Sequence, residues 1–392
     1  MKILAIETSC DETAVSILKC SGSFENPGVT VLGSGLYSQI TKHREYGGVY
    51  PNLAKREHEK NLIPLLQKSL REAQMEVMED VVLQSDTLSI LLKKESDLLQ
   101  EFLRYISTIQ KPEIDIIAVT QGPGLEPALW VGLNFAKALS FAWNIPLVPV
   151  NHMEGHIFSV LSHEKLNPRI EFPVLALLAS GGHTELVLSK DWLSYERIGQ
   201  TRDDAVGEAF DKVARLLGLP YPGGPQISLL AQRARDKGMQ TPPEHKLPRP
   251  MIGSDNYDFS YAGLKTAVLY KVRSMGDLLD EEKEMIAQEF ENAAIEVLVS
   301  KTKRAIAEFT IQTLIVAGGV VANNHLRKEI TTMIKDEYPH VHLLMPTQEL
   351  STDNAVMIGI AGYLRYTHNS SLYVPYTIDT ELKAQGTMRL SS

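Results

Sequence analysis

The sequence predicts an α/β protein built from two related halves, and three observations carry this prediction. The chain has 392 residues, which is more than one ordinary core holds, since domains of about 100 to 200 residues are usual. Strand-like and helix-like apolar runs alternate along it, which is typical of sheets covered by helices. One pattern, an apolar run that stops at a polar turn and then resumes, occurs near the start and again half a chain later. Two lobes with duplicated α/β domains are therefore expected.

The first half is expected to open with a hairpin and to continue with alternating strands and helices. A glycine-rich turn, Gly122-Pro123-Gly124, separates a strand from the helix that follows it. Leucines at helical spacing predict a separate helical hairpin at about 76–112. The predicted elements are, in order, a strand at 2–6, a polar turn at 7–13, a strand at 14–18, the helical insert, a strand at 115–119, a helix at 129–143 and a strand at 146–150.

The second half repeats this order. Residues 174–179 and 186–188 predict two strands around a polar turn at 180–185, and a long amphipathic helix is expected at about 279–309. A strand at 314–317 then ends at Gly318-Gly319. We accordingly expect an N-terminal lobe at 1–150, a C-terminal lobe at 151–360, and a segment at 361–392 that packs back on the first lobe.

Composition excludes several classes of protein. Apolar residues make up 44% and charged residues 22% of the chain, values of an ordinary globular protein without long disordered tracts. No apolar run reaches the 18 or so residues that a membrane span needs. Two cysteines cannot form a disulfide framework, which fits a reducing compartment.

The net charge of −9 argues against broad adhesion to nucleic acid, although it leaves room for a local basic groove. Three basic clusters stand out, and each is a more common feature of solvated surface than of an RNA contact. They are Lys42-His43-Arg44, Lys55-Arg56, and Lys301 with Lys303-Arg304.

His152 and His156 form the sharpest local motif. On a helix, side chains four residues apart share one face, so two imidazoles at this spacing suit a metal; hydrogen-bonded structural histidines are the alternative. A zinc-protease helix carries Glu directly after its first His. Here Glu154 stands two positions later, which turns it about 200° away from the pair. A protease-type base is therefore not expected at Glu154.

A His pair needs a further ligand, and Asp353 is the candidate because a carboxylate on a polar turn is a usual supplier. It precedes the apolar run 355–358. The alternative interpretation is that Asp353 only caps the helix that begins there.

Glycine-rich turns indicate nucleotide binding without a P-loop. Residues 180–184 can direct backbone N–H groups toward an anion, although a plain hairpin turn explains them nearly as well. Gly318-Gly319, followed by Asn323, can hold an adenine or a ribose. Asp204, Glu208 and Asp211 fall at intervals of four and three, which places them on one face of a predicted helix and indicates a sugar-hydroxyl site rather than a plain surface helix.

Taken in order along the chain, these motifs resemble those of the TsaD family, also called the YgjD or glycoprotease family, of tRNA N6-adenosine threonylcarbamoyltransferases. The resemblance covers nearly the whole chain. The matching stretches are residues 6–13, 46–49, 122–125, 152–156, 179–185, 203–212, 221–225, 258–260, 263–266, 317–323 and 352–354.

The resemblance implies a two-lobed fold of the actin, Hsp70 and sugar-kinase (ASKHA) type with a nucleotide between the lobes. It implies one divalent metal ion, Zn²⁺ or Fe²⁺, held by His152, His156 and Asp353. It also implies adenylate contacts. These fall on Leu178, Ala179, Ser180, Gly181, Gly182, Asp211, Gly224 and Asn323.

The reaction that the resemblance implies is transfer of a threonylcarbamoyl group from threonylcarbamoyl-AMP to N6 of adenosine 37 in tRNAs that read ANN codons. The product is N6-threonylcarbamoyladenosine (t6A), and AMP leaves. Asp11 and Glu12 are candidates for orienting the substrate, with shaping of the turn as the alternative. The expected partners are tRNA and a separate synthase that supplies the donor, and a homodimer is expected without membrane association.

Two departures from the family pattern bear on origin. Glu126-Pro127 replaces a small or apolar pair, and the helical insert is longer than in bacterial members. Together with the form of the first turn, the insert predicts a mitochondrial member lacking its presequence; a bacterial cytoplasm is the alternative. The competing functions are an ATP-hydrolysing or phosphotransfer enzyme of the same fold, which the paired histidines disfavour, and a nucleotide-binding scaffold.

Overall fold

The computed structural model describes residues 1–23, 25–162 and 170–390. Ten β-strands lie in these residues. They are β1 (Lys2–Glu7), β2 (Glu12–Ser23), β3 (Asn26–Ser38), β4 (Ile116–Gly122), β5 (Leu147–Asn151), β6 (Val174–Ala179), β7 (Thr184–Asp191), β8 (Ser194–Gln200), β9 (Thr313–Ala317) and β10 (His342–Leu344).

Thirteen α-helices accompany the strands in the same part of the chain. They are α1 (Ile40–His43), α2 (Pro51–Glu72), α3 (Ser85–Leu91), α4 (Ser96–Ile106), α5 (Glu126–Trp143), α6 (His152–Phe158), α7 (Val206–Leu216), α8 (Gly223–Asp236), α9 (Ala262–Met275), α10 (Asp280–Phe309), α11 (Asn324–Glu337), α12 (Gln348–Ser351) and α13 (Ala355–His368).

Two five-stranded mixed sheets share one strand order, which confirms the predicted duplication. The first runs β3-β2-β1-β4-β5 and the second runs β8-β7-β6-β9-β10. In the first sheet β3, β2 and β1 form an antiparallel meander, and β4 and β5 run parallel to β1. In the second sheet β8, β7 and β6 form the meander, and β9 and β10 run parallel to β6. The central strands are buried along nearly their full length, because helices cover both faces of such a sheet.

Contacts divide the described chain into two compact units. The first unit contains the described residues among 1–42, 49–169 and 353–390, and the second contains 43–48 and 170–352. The expected lobes put residues 151–162 and 353–360 in the second half, whereas the contacts group both stretches with the first unit. The reason is packing, since α13 contacts β1, β2, β4, β5 and α6. Positions 163–169, 391 and 392 of the expected ranges lie outside the described residues.

The predicted helical insert at about 76–112 contains two helices, α3 and α4. Its apolar side chains join the core of the first unit: Leu88, Leu98 and Phe102 are fully buried. The Phe102 ring meets the Phe135 ring of α5 edge-on, with centroids 6.0 Å apart. The insert is therefore an integral part of the first unit.

After α13 the chain runs along the first unit as an extended segment. The Lys137 ammonium of α5 donates a hydrogen bond to the Leu382 carbonyl oxygen at 2.6 Å and lies over the Trp130 and Tyr376 rings. The Gln385 N–H donates to the Gln121 carbonyl oxygen at 2.9 Å. Backbone pairing and one buried ammonium thus hold this segment in place.

Close packing of α13 on the first sheet predicts the effect of one methyl group. A Cβ at Gly362 would lie 2.5 Å from the Ala118 Cβ of β4, and neither atom can move without its backbone. We expect Gly362→Ala to lower the free energy of unfolding by about 1–3 kcal/mol, measured by urea unfolding followed by circular dichroism. Gly263→Ala is the control, because a Cβ there meets nothing within 4 Å. Equal stability of the two variants would contradict this packing argument.

Candidate functional site

His152 and His156 lie on the same face of α6, a short buried helix that follows β5. The helix begins at His152 because the Asn151 side chain caps it, accepting hydrogen bonds from the N–H groups of Met153 and Glu154. The two imidazole rings meet edge-on with centroids 4.7 Å apart. Residue spacing on a capped helix therefore brings both rings to one point, as the sequence predicts.

Asp353 lies at that same point. Its Oδ1 is 3.4 Å from Nε2 of His152 and 3.2 Å from Nε2 of His156. The alternative role of Asp353 as the helix cap is taken by its neighbour, since the Asn354 side chain accepts the N–H of Met357. The Asp353 carboxylate is thereby left to face the two rings.

The chemistry of this cluster fits a divalent metal ion. Zn²⁺ lies about 2.1 Å from nitrogen and carboxylate ligands, so two ligands of one tetrahedral ion are about 3.4 Å apart. The two nitrogen-to-oxygen distances match this separation. Apart from the 3.2 Å approach of the Asp353 oxygen to Nε2, the ring nitrogens of the buried His156 have no hydrogen-bond partner among the described residues. Such orphaned nitrogen atoms are costly in a dry interior unless a ligand satisfies them.

Glu7 supports the cluster from behind, and sequence reasoning missed it. Its carboxylate is fully buried at the end of β1, with Oε2 3.1 Å from Nδ1 of His152. It also accepts hydrogen bonds from the Ser9 N–H and the Thr120 hydroxyl. A carboxylate on one ring nitrogen fixes the tautomer of a histidine and leaves the other nitrogen, here Nε2, available as a ligand.

The buried acids and the two rings shift one another's pKa values. Burial would raise the pKa of Glu7 and of Asp353, yet attraction to His152 outweighs it and lowers both. Burial would lower the pKa of His152, but the Asp353 and Glu7 charges raise it well above its usual value. Burial, together with the His152 charge, keeps the pKa of His156 low. The acids therefore favour a proton on His152, whereas burial and the His152 charge disfavour a proton on His156.

Asp11 and Glu12, the candidates for orienting the substrate, lie in the same unit on the first polar turn. Asp11 is 7% exposed. The Glu12 carboxylate accepts a hydrogen bond from the Ser38 hydroxyl at 3.2 Å. Burial and then the charges of Asp11 and Asp353 raise the pKa of Glu12 well above its usual value. The turn is thus electrostatically coupled to the histidine cluster.

Glu154 points elsewhere, as the helical spacing predicts. Its buried carboxylate forms a two-point ion pair with the Arg365 guanidinium, with Oε1 3.2 Å from Nη2. Arg365 lies ten residues along α13 from Ala355, which is about 15 Å along the helix axis. Glu154 therefore joins α6 to α13 from the side of α6 that faces away from the histidine pair.

The second unit holds a cavity of about 600 Å³. Four of the eight predicted adenylate-binding residues line it: Gly181, Asp211, Gly224 and Asn323. Leu178 and Ala179 are instead buried within β6. Ser180 and Gly182 complete the turn between β6 and β7, in which the Ser180 N–H donates to the His183 carbonyl oxygen. Gly318 has a left-handed φ of 99°, and a Cβ there would collide with the Ala179 carbonyl.

A buried ion pair borders this cavity, and no sequence signal identified it. The Glu291 carboxylate of α10 is 1% exposed and lies 2.6 Å from Nη1 of Arg235. The Asn323 side-chain amide donates to Glu291 at 2.6 Å and to the Ser228 hydroxyl at 2.8 Å, while its oxygen accepts the Leu326 N–H. Asn323 is therefore held in a fixed orientation. Residue 291 falls on a long amphipathic helix whose pattern singles out none of its many charges.

The predicted acidic face of the helix near 204–211 is only partly correct. α7 begins at Val206, so Asp204 precedes the helix. Asp204 pairs with Lys212 at 2.7 Å and with Lys265 at 2.8 Å, and Glu208 also pairs with Lys212. Asp211 alone of the three lines the cavity, where it accepts the Gly223 N–H at 2.7 Å. Asp204 and Glu208 form ion pairs with neighbouring lysines, which residue spacing along one helix does not reveal.

Comparison with solved structures identifies a protein of similar fold. The chain resembles the crystal structure of full-length HypF in a phosphate- and nucleotide-bound form, with a TM-score of 0.52 and 12% sequence identity. The likeness covers 94% of this chain but 55% of HypF. At this identity it shows the fold alone, a mixed α/β architecture.

Sequence comparison shows the family. The model of TsaD, described as tRNA N6-adenosine threonylcarbamoyltransferase, matches residues 30–82 and 96–360. The chain belongs to this family. Residues 83–95, which lie in the helical insert, separate the two matched stretches.

Curated relatives of the same name cover most of the chain. A tRNA N6-adenosine threonylcarbamoyltransferase of Staphylococcus epidermidis is 42% identical over 365 residues, which is 93% of this chain and 92% of the relative. Those of Staphylococcus haemolyticus and Staphylococcus aureus strain JH9 are 40% and 41% identical, each over 93% of this chain and 91% of their own length. In the described part of this chain, no helix has the length and apolarity to cross a membrane.

The position of Glu154 away from the histidine cluster can be tested by substitution. Glu154→Gln removes a buried charge from an ion pair without touching the histidine cluster. We expect it to lower the free energy of unfolding by about 1–3 kcal/mol while zinc content after dialysis, measured by mass spectrometry, matches the wild type. Zinc loss as large as that of His156→Ala would place Glu154 among the ligands and contradict the geometry.

Proposed function

We propose that this chain transfers the threonylcarbamoyl group from threonylcarbamoyl-AMP to N6 of adenosine 37 in tRNAs that read ANN codons, forming t6A and releasing AMP. The observation that carries the proposal is the coincidence of family membership with the buried cluster of His152, His156 and Asp353. The names of the relatives support it further. The alternative, an ATP-hydrolysing or phosphotransfer enzyme, is not favoured by these names or by imidazole ligands.

His152, His156 and Asp353 would hold one Zn²⁺ or Fe²⁺ ion, since two imidazoles and a carboxylate suit both. When bound, the ion supplies Lewis-acid polarisation of donor oxygens. Glu7 holds the His152 ring in position through its Nδ1. The chain thus contributes ligand geometry and a buried, low-dielectric setting, in which electrostatic stabilisation is stronger than in water.

Gly181, Asp211, Gly224 and Asn323 form the proposed adenylate site in the second unit. Gly181 leaves open space where another residue would carry a Cβ, so a ligand can approach the backbone closely. Asp211 can accept hydrogen bonds from ribose hydroxyls. The remaining predicted contacts, Leu178, Ala179, Ser180 and Gly182, would act through the backbone of the strand and turn. Asn323 is already oriented by Glu291, which reduces the entropy lost on binding.

The reaction needs no protein nucleophile. The N6 amine attacks the carbonyl carbon of the donor, a C–N bond forms, the bond from that carbon to the phosphate oxygen breaks, and the amine loses one proton. We assign Asp11 and Glu12 to orient the amine or the threonyl group. Burial raises the pKa of Glu12, and a carboxylate with a raised pKa is a stronger base for accepting that proton.

The proposal extends to partners and location. tRNA is the substrate, a separate synthase supplies the donor, and a twofold homodimer is the expected assembly. The relatives compared above come from Staphylococcus, which is consistent with a bacterial cytoplasm. A mitochondrial location remains the other prediction.

Nucleoside mass analysis tests the activity. tRNA lacking the modification at A37 is incubated with the protein and preformed threonylcarbamoyl-AMP, beside His156→Ala and the exposed-histidine control His340→Ala. We expect t6A with the wild type and the control, and a loss of about 100-fold or more with His156→Ala, the scale of removing one transition-state contact. Metal-loaded wild type that forms no t6A, with or without cell extract, would contradict the proposal.

The role of Glu7 is tested by metal affinity rather than activity. Glu7→Gln keeps the size of the side chain but removes the charge that orients His152. We expect the dissociation constant for Zn²⁺, measured by competition with a chromogenic chelator, to rise about 10- to 100-fold. Glu154→Gln is the matched control, another buried glutamate in the same unit. Unchanged affinity in Glu7→Gln would show that Glu7 does not position the ligand.

A further inference from the structure

A second polar cavity lies in the first unit, on residues that the proposed function has not used. It has a volume of about 570 Å³ and is bordered by α2 and by the start of α4. We call it the basic groove. Its charged residues are Lys55, Arg56, Glu59 and Lys60 of α2 with Lys94 and Asp97 of the insert.

Basic side chains exceed acidic ones in the groove by two, although the chain as a whole carries a net charge of −9. Two of the lysines are partly neutralised: Lys55 lies 3.4 Å from Glu59, and Lys60 lies 3.4 Å from Glu57. Within the described residues the side chains of Arg56 and Lys94 form neither an ion pair nor a hydrogen bond, and both are exposed. Arg56 and Lys94 are therefore the unpaired cations of the groove, which the Asp97 carboxylate also borders.

The groove is held in shape by a contact between its two walls. The Lys55 ammonium donates a hydrogen bond to the Lys94 carbonyl oxygen at 3.0 Å, which fixes the turn before α4 against α2. Leu88 and Leu92 anchor the same segment in the core. A plain solvated charge cluster needs neither concavity nor such anchoring. Arg56 and Lys94 are thus presented together by two separate segments.

Lys94 belongs to the stretch 83–95, which the family model does not match. The stretch is folded into the first unit, and its polar end places Lys94 beside α2, a helix that the family model does match. Lys94 is consequently the one lining residue of the groove that lies outside the stretches matched by the family model.

The position of α2 connects the groove to the proposed active site. On the buried face of α2, His58 contacts the first polar turn: its Nε2 is 3.0 Å from the Cys10 carbonyl oxygen and its Nδ1 is 2.8 Å from the Thr13 hydroxyl. The groove lies on other faces of this helix, so only about one helix diameter, 10–12 Å, separates it from Asp11 and Glu12. Each nucleotide of an RNA strand carries one phosphate, so a substrate adenosine at the turn has neighbouring backbone phosphates within reach of the groove.

We infer that the basic groove binds the phosphodiester backbone of the tRNA substrate, an inference that rests on the proposed function. Arg56 offers a planar fork that matches a phosphate, and Lys94 offers a point charge. Contacts of this kind position an RNA without reading its sequence. The insert therefore serves to extend the substrate-binding surface of the first unit.

Equilibrium binding of purified unmodified tRNA tests the inference. The dissociation constant is measured by filter binding between 50 and 200 mM KCl for the wild type, for Arg56→Glu/Lys94→Glu, and for the milder Lys94→Ala. We expect the double variant to bind about tenfold more weakly at 100 mM KCl, and the slope of log K against log [KCl] to fall by about 1.5, as two lost phosphate contacts require. For Lys94→Ala we expect about half of that reduction in slope, because only one phosphate contact is lost.

Arg273→Glu/Lys335→Glu is the matched control. It makes the same change in charge at two exposed residues of the second unit, so it reports the effect of net charge alone. Circular dichroism and zinc content establish that each variant is folded. A double variant that binds tRNA like this control overturns the inference, while t6A formation by the wild type leaves the proposed function intact. A wild type that neither binds tRNA nor forms t6A overturns both.

Discussion

The buried Glu7 carboxylate is the contact on which the arrangement of the first unit depends. It ends β1 and joins three separate segments: the turn at Ser9, the Thr120 hydroxyl of β4 and the His152 ring of α6. A carboxylate without exposure to water is costly unless it is paired and hydrogen-bonded. These partners satisfy it only when the strand ends and α6 are correctly aligned. The same alignment sets His152 beside His156 and Asp353, so the stability of the unit and the geometry of the cluster share one cause.

Local patterns predicted much of the fold and the central residues of the site. Hairpins at both halves, the paired histidines and the orientation of Glu154 follow from residue spacing, because strands and helices have fixed periods. The sequence allows two roles for Asp353, as a metal ligand or as a helix cap. The adjacent Asn354 decides the question by capping α13, a choice between two neighbouring polar residues that no periodicity resolves.

Features made by distant residues could not be predicted. Glu7 falls within the polar turn predicted at 7–13, yet its partner His152 is 145 residues away along the chain. Glu291 and Arg235 meet across two helices whose sequences show only ordinary charge patterns. The division into units also differed from expectation, because residues 353–390 return to the first sheet. Such pairings depend on the path of the chain in three dimensions, which a one-dimensional pattern does not contain.

That return of the chain has a consequence for biosynthesis. Because the first unit needs α13 and the extended segment after it, a ribosome must translate the whole second unit before the first one can close. His152 and His156 emerge some 200 residues ahead of Asp353, so a nascent chain carries only part of the cluster for most of its synthesis. At about 5–20 residues per second this delay lasts roughly 10 to 40 seconds. During that interval the central strands of the first sheet lack their covering helix and are exposed to chaperones and proteases.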